Sequence, residues 1–288
     1  GAGLMSLDRA HLPGGELIEP YLRDLGRKCE ALIEEAGNNS QQAHISYGYG
    51  RCALASNRDF WDEERKQFVC GFNPTASADD TLLVARITSE TGELLATIVN
   101  YACHPTTLAW ENELISPDYI GAMREVIERE TTTPGKPLAP CIFLQGASAE
   151  LGPREGFVGD VQVADRNGRQ LGYAALATLT NLASLPSSFV YQGPKVSGAT
   201  LGTWQHRAAS PERGAEMSCA RFEERVIELA YRTDRASRDE VAAVLVDQER
   251  QKQSALAAGD DAAARDAHAM IERQTRMIPR IDELPTGN

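Results

Sequence analysis

No stretch of the 288 residues approaches the ~20 uninterrupted apolar positions that a membrane-spanning helix needs. Cysteine is sparse. Cys29, Cys52, Cys70, Cys103, Cys141 and Cys219 stand far apart, and none belongs to a CxxC pair. That spacing argues against a zinc knuckle, and against the disulfide framework that a chain of this size does not need. Cys103 and Cys141 sit in apolar runs and are expected as buried thiols, which leaves the redox compartment open. Basic charge is also short: 29 Lys and Arg face 41 Asp and Glu, a formal net charge of −12. Such a chain repels phosphate backbones and carries no local basic patch, so nucleic acid is not an expected partner. No HxH or HxxxH pair and no GxSxG elbow occurs. The opening Gly1-Ala2-Gly3-Leu4 has no initiator Met, no basic n-region and no long apolar run. It is expected to follow polypeptide that precedes it in a longer gene product.

Apolar residues make up 42% and charged residues 24%, an ordinary globular composition with enough material for a sizeable core. Three regions follow one another. In residues 1–75, a loop around His11-Leu12-Pro13-Gly14-Gly15 precedes a helix from about Ile18 to Ala36, in which Leu22, Leu25, Cys29 and Leu32 recur at helical spacing. A strand near His44–Tyr49 then leads into an irregular aromatic segment, Arg51 to Pro74.

Residues 79–204 read as the α/β heart. Thr81–Thr88 and Leu94–Cys103 are rich in β-formers, with Glu90-Thr91-Gly92 as the turn between them. Ser116-Pro117-Asp118 caps a helix containing Ile120, Met123, Val126 and Ile127, and Pro134-Gly135-Lys136-Pro137 ends it. Pro140–Leu144 is a short buried strand that runs into the loop Gln145-Gly146-Ala147-Ser148. A helix from about Ala164 to Leu185 and a strand over Phe189–Val196 complete the region, and Ser197-Gly198-Ala199 leaves that strand.

From residue 208 onward charges of both signs alternate and glycine thins out. Apolar stripes Phe222/Val226/Leu229, Val241/Val244/Leu245/Leu256 and Ala263/Ala267/Met270/Ile271, with Gly259-Asp260-Asp261 turning between the last two, describe a charged helical hairpin. The expectation is an α/β fold with a mixed β-sheet core and flanking helices over 1–207, followed by a helical arm over 208–288. That arm serves as an inserted support, a lid or a contact between copies of the chain.

His104 is the sharpest chemical signal. It follows the β-rich run Ile98–Cys103 and precedes Pro105-Thr106-Thr107, so it stands where a strand ends at a sheet's rim. Imidazole is the commonest metal ligand, but a lone histidine after a strand is more often a satisfied core residue, and one donor cannot fix zinc. The loop Gln145 to Arg154 follows a buried strand, and its glycines let backbone amides approach a ligand. Ser148 within it has neither an elbow nor an adjacent base in sequence. Arg58 lies in a long irregular segment, where an arginine can bind a carboxylate, a phosphate or an amide carbonyl.

Taken in order, Asn57-Arg58, Asn73-Pro74, Asp80, Tyr101-Ala102-Cys103-His104, Ile115-Ser116-Pro117-Asp118-Tyr119-Ile120-Gly121 and Phe143-Leu144-Gln145 with a loop ending in Pro153 resemble the N-terminal catalytic domain of the neutral/alkaline non-lysosomal ceramidases. The likeness covers roughly residues 20–200. It is closer to bacterial ceramidase-like proteins of unassigned activity, which share the His-Pro-Thr-Thr and Gly-Pro-Arg-Glu wording. It implies His104 as one of two zinc-binding histidines and Arg58 as an active-site arginine, with Asp118 and Gln145 as further catalytic candidates and Asn57, Gly146 and Arg154 as substrate-binding candidates. Gly152 falls where the family holds its serine, and Ala149-Glu150 replaces the family's Gly-Asp. Hydrolysis through that serine is therefore not implied, and a water activated by zinc is the simpler chemistry. The resemblance also implies a second histidine upstream of Gly1, and glutamate and tyrosine ligands downstream of Asn288. It places the protein outside the cell or in the periplasm, acting on a small-molecule or lipid amide.

Two functional classes follow from these residues: a zinc-dependent hydrolase of an amide or ester bond, and a non-catalytic ceramidase-fold binding or scaffold protein. A third, an interaction protein working through the 208–288 hairpin, rests on that arm alone.

Overall fold

The computed structural model of the chain describes residues 13–209, 223–228 and 235–283. His11 and Leu12 of the expected N-terminal loop, Cys219, and Phe222 and Leu229 of the first charged stripe lie outside them. The chain divides into two compact units, residues 1–220 and 221–288.

The first unit is α/β, as its sequence pattern requires. Its helices are α1 (Ile18–Asn38), α2 (Tyr119–Thr131) and α3 (Val161–Thr180). Its strands are β1 (Ala43–Arg51), β2 (Ala55–Asn57), β3 (Asp59–Asp62), β4 (Gln67–Cys70), β5 (Thr81–Ser89), β6 (Leu94–Tyr101), β7 (Cys141–Gln145), β8 (Leu151–Pro153), β9 (Ser187–Ser197) and β10 (Ala199–Ala208). The central sheet has the order β1-β5-β6-β7, antiparallel at the first two junctions and parallel at the third. The parallel junction requires a crossover, and α2 supplies it between β6 and β7. Three two-stranded pairs stand outside this sheet: β2 with β8, β3 with β4, and β9 with β10.

The strand alternation decides where the core lies. Leu82 and Val84 of β5, Val99 and Tyr101 of β6, and Cys141 of β7 share one face and are buried together with Tyr119, Met123, Ile127, Leu171 and Leu179 of α2 and α3. Close approach of the two helices depends on glycine. A Cβ at Gly168 would lie 2.2 Å from the Tyr119 carbonyl oxygen, and one at Gly172 would lie 2.9 Å from Val126 Cβ. Gly50 of β1 has the same origin, since its missing Cβ would sit 2.1 Å from Thr178 Oγ1 of α3. Two tyrosines tie this core to the chain around it. Tyr101 donates its hydroxyl to the Cys52 carbonyl at 2.6 Å and accepts from the Ala55 amide at 2.9 Å. Tyr119 donates to the Cys103 carbonyl at 2.6 Å. Among the described residues the cysteines are free, and Cys52, Cys103 and Cys141 are buried.

Several local expectations differ from the structure. The segment 51–74 is not irregular throughout: Phe60-Trp61 of β3 and Phe68-Val69 of β4 pair across a tight turn, with Trp61 and Phe68 edge to face at 5.0 Å. Ser197-Gly198-Ala199 does not leave the sheet pair but turns β9 into β10, with Gly198 at φ +72°. Helix α1 forms where its period predicts, yet it buries no residue, so its stripe of Leu22, Leu25, Cys29 and Leu32 covers no core.

The second unit contains α4 (Arg238–Ala258) and α5 (Asp261–Glu283). Ser237 and Glu240 form a capping box at the start of α4, and Gly259, at φ +71°, ends it. Val241, Ala264 and Ala267 are buried within this pair. Val226 lies in a described segment without helix, so the first of the three expected stripes does not extend the hairpin.

Candidate functional site

His104 follows β6 and is pinned through its main chain, its amide donating to the Leu151 carbonyl of β8 at 3.0 Å. The short β8 is itself fixed by pairing with β2, Ser56 opposite Gly152 and Asn57 opposite Leu151. These contacts bring three remote stretches, 56–58, 104–107 and 145–154, to one place.

The imidazole is half-buried, and its Nδ1 lies 2.6 Å from the Ser148 carbonyl oxygen and 3.1 Å from Ser148 Oγ. A carbonyl oxygen only accepts, so the shorter contact places a proton on Nδ1. In the neutral ring Nε2 then keeps its lone pair, and Nε2 has no partner among the described residues. This is the arrangement of a histidine whose outer contact orients it for a ligand on the other nitrogen. The same tautomer prevents Nδ1 from acting as base toward Ser148 Oγ. That hydroxyl, buried, instead accepts from Gln145 Nε2 at 2.7 Å.

Gln145 holds the loop in place, since its Nε2 also donates to the Cys103 carbonyl at 2.9 Å. Gly146 follows because a Cβ there would press within 3.0 Å of the Ala102 backbone. Its amide donates to the Tyr101 carbonyl at 3.0 Å, so it extends the β6–β7 register rather than offering a free N–H.

Arg58 is half-buried and directs Nε and Nη2 to a single acceptor, the Ala149 carbonyl, at 3.1 and 2.8 Å. Asn57 closes a turn, its Oδ1 accepting from the Asp59 amide at 3.0 Å, while Asn73 donates to the Asp59 carbonyl at 2.8 Å. The two asparagines therefore build the loop that carries Arg58. Arg154 lies over the Phe72 ring at 4.8 Å, and Glu155 pairs with Arg166, so the expected surface pair of Arg154 with Glu155 is replaced by two separate contacts.

Asp118 caps α2 from an unusual backbone conformation, φ +55°. Its carboxylate accepts from the Tyr119 amide at 2.7 Å and from the Leu108 amide at 2.8 Å. Both oxygens are thereby engaged with backbone, which fixes the chain after His104 against the start of α2. This arrangement orders the site at a cost in backbone strain.

Gly152 is buried opposite Ser56. A Cβ there would meet only Arg58 Cδ at 3.5 Å and Thr106 Oγ1 at 3.6 Å, both ordinary contacts, so a side chain would fit. Thr106 and Thr107 were not singled out by sequence reasoning, although they stand in the His-Pro-Thr-Thr run. Thr107 is fully buried and accepts from Asn167 Nδ2 of α3 at 3.2 Å. Thr106 Oγ1 is buried and has no partner. Among the described residues no group of three or more His, Cys, Asp or Glu side chains is placed to hold a metal ion, so His104 stands as a single donor.

No family model matches the chain, and no curated relative matches it. Among solved structures it is similar to a neutral ceramidase from Pseudomonas aeruginosa, at 21% identity over 55% of this chain and 27% of that one, with a TM-score of 0.41. It is similar in the same way to a ceramidase complexed with C2, at 22% identity over 55% of this chain and 26% of that one, with a TM-score of 0.42. The chain thus spans about a quarter of the length of the structures it resembles.

Proposed function

We propose that the protein is a hydrolase of an amide or ester bond and that His104 is one ligand of a zinc ion at its centre. The observation that carries this reading is the 2.6 Å contact of His104 Nδ1 with the Ser148 carbonyl, which leaves Nε2 as the donor of a half-buried imidazole at a sheet's rim. The ceramidase-like order of Arg58, His104, Asp118 and Gln145 in the sequence supports the same class of substrate. The remaining zinc ligands would come from polypeptide outside the described residues. A zinc ion bound there would supply Lewis acidity and lower the pKa of a water. Around it, this chain's own residues orient the imidazole (Ser148, Gln145) and hold a guanidinium beside Gly152 (Arg58).

The protein in its full natural length, purified without chelator, is expected to carry about one zinc per chain. His104→Ala should lose that zinc, together with hydrolysis of an N-acyl amine or an acyl ester. Ser148→Ala keeps the carbonyl that orients His104 and should keep the zinc and most of the activity. A metal-free protein whose stability and activity are indifferent to His104→Ala would overturn the assignment.

One observation favours a second reading, a non-catalytic member acting as a binding scaffold. The polar groups of Arg58, Asp118 and Gln145 are largely spent on backbone partners. Zinc bound without turnover of either bond type would select it.

A further inference from the structure

A buried hydroxyl without a partner forfeits about 1–3 kcal/mol of lost hydration, so each one calls for a reason. Among the described residues three side-chain atoms are in this position: Arg86 Nε, Thr97 Oγ1 and Thr106 Oγ1. Arg86 and Thr97 are register partners across β5 and β6, so those two orphans stand on neighbouring side chains within the covered face of the sheet. Thr106 is different, because it lies two residues beyond His104 and faces Gly152.

The surroundings of that hydroxyl are fixed from every side by main chain. The Thr106 amide donates to the His104 carbonyl at 2.9 Å, and the Thr106 carbonyl accepts from the Phe157 amide at 3.0 Å. The threonine backbone therefore has no freedom to seek another partner. Opposite it, Gly152 leaves a space that a Cβ could enter with only Arg58 Cδ and Thr106 Oγ1 within 4 Å. A side chain at 152 would occupy that space, and glycine keeps it free. The result is a notch with a hydroxyl on one wall, the arginine stem on another and the His104 loop at its edge.

Resting on the hydrolase reading, we infer that Thr106 is a substrate-contacting residue whose hydroxyl donates to the carbonyl oxygen of the amide or ester lodged at Gly152. A hydroxyl donor suits a carbonyl oxygen, which only accepts. A site built to make that bond also loses affinity when the donor is removed. The arrangement needs no proton transfer from Thr106, and none is assigned to it.

The test uses the 288-residue chain and two probes, N-hexylacetamide and hexyl acetate, with binding followed by titration calorimetry and the melting temperature recorded for each variant. Thr106→Val removes the hydroxyl at constant shape and is expected to weaken binding of either probe about tenfold or more, one hydrogen bond's worth. Thr106→Ser keeps the donor and should bind within about threefold of the parent. Gly152→Ala fills the notch and should weaken binding while leaving Thr106 in place. Probe binding that is equal in the parent and Thr106→Val, with a raised melting temperature in the latter, overturns this inference alone. It would mean that the hydroxyl serves no ligand, and the zinc and turnover measurements on His104 would be untouched. Absence of probe binding to the parent overturns it as well. Loss of the hydrolase reading shows separately, as a full-length protein without zinc or turnover.

Discussion

One face of the four-stranded sheet presents Leu82, Val84, Val99, Tyr101 and Cys141 to α2 and α3, and these side chains are buried. The opposite face is built from the alternate positions of the same strands: Ile45, Tyr47 and Tyr49 of β1, Leu83 and Ile87 of β5, Ile98 of β6, and Ile142 and Leu144 of β7. It is as apolar as the first, yet Tyr47 is 65% exposed, Tyr49 72%, Ile142 47% and Leu144 48%. The difference teaches that hydrophobicity in a strand does not say which face the helices cover. Here the decision comes from glycine. Gly48 and Gly50 of β1 face Leu182 and Thr178, and Gly168 and Gly172 let α3 seat against α2, so that one face alone accepts the helical layer at close range.

The contrast can be broken hardest with alkali. An ordinary cysteine ionises near 9.0, whereas burial pushes the Cys103 and Cys141 thiols up to about 12 and raises Tyr101 and Tyr119 above the usual tyrosine range. The unfolded chain therefore loses these protons first. Their contribution to stability is complete below pH 9.0 and is lost as pH rises through about 12. Denaturant titrations across this window should show stability falling steadily, while the exposed Cys29 and Cys70 react with a thiol reagent at pH 8 and Cys103 and Cys141 do not. A flat profile would mean that the covered face is wet.

A smaller effect separates the faces one residue at a time. Leu171→Ala opens a cavity in the covered layer and is expected to cost about 2–5 kcal/mol. Ile142→Ala on the open face should cost well under half of that, because the isoleucine already keeps much of its surface in water. Chemical denaturation of both variants checks the ratio, and equal losses would show the open face to be packed in solution.

The finest test is Tyr119→Phe, which keeps the ring and deletes only the bond to the Cys103 carbonyl, a loss of about 1 kcal/mol. Since that carbonyl also accepts from Gln145, the variant should relax the His104 loop more than the core. Hydrogen exchange at the His104 amide reports it, and unchanged protection would place the anchoring of the loop on Gln145 alone.

Much of the architecture was legible locally. The β-rich runs flanking Glu90-Thr91-Gly92 pair as a hairpin because turn and strands are adjacent in sequence, and Asp118 starts α2 because its carboxylate reaches the next amide. The Ser237-to-Glu240 capping box and Gly259 bound α4 for equally local reasons. The pairing of β2 with β8 was not legible, since almost a hundred residues separate Ser56 from Gly152. Without that pairing nothing places Arg58, Ser148 and Thr106 around one imidazole. The expectation that Ser148 lacks an adjacent base was correct in sequence but not in space, where its carbonyl orients the ring that sequence had set 44 positions away.

By itself the sequence determined the periods of its helices and strands, the caps and turns that bound them, the acidic surface, and the choice of His104 as the residue to watch. These follow from interactions between residues a few positions apart. Only the tertiary structure decided that α1 buries nothing, that one sheet face is sealed and the other is not, and that His104 offers Nε2 rather than Nδ1. Each of those outcomes depends on contacts between distant segments, and these are set by packing and register rather than by the local pattern.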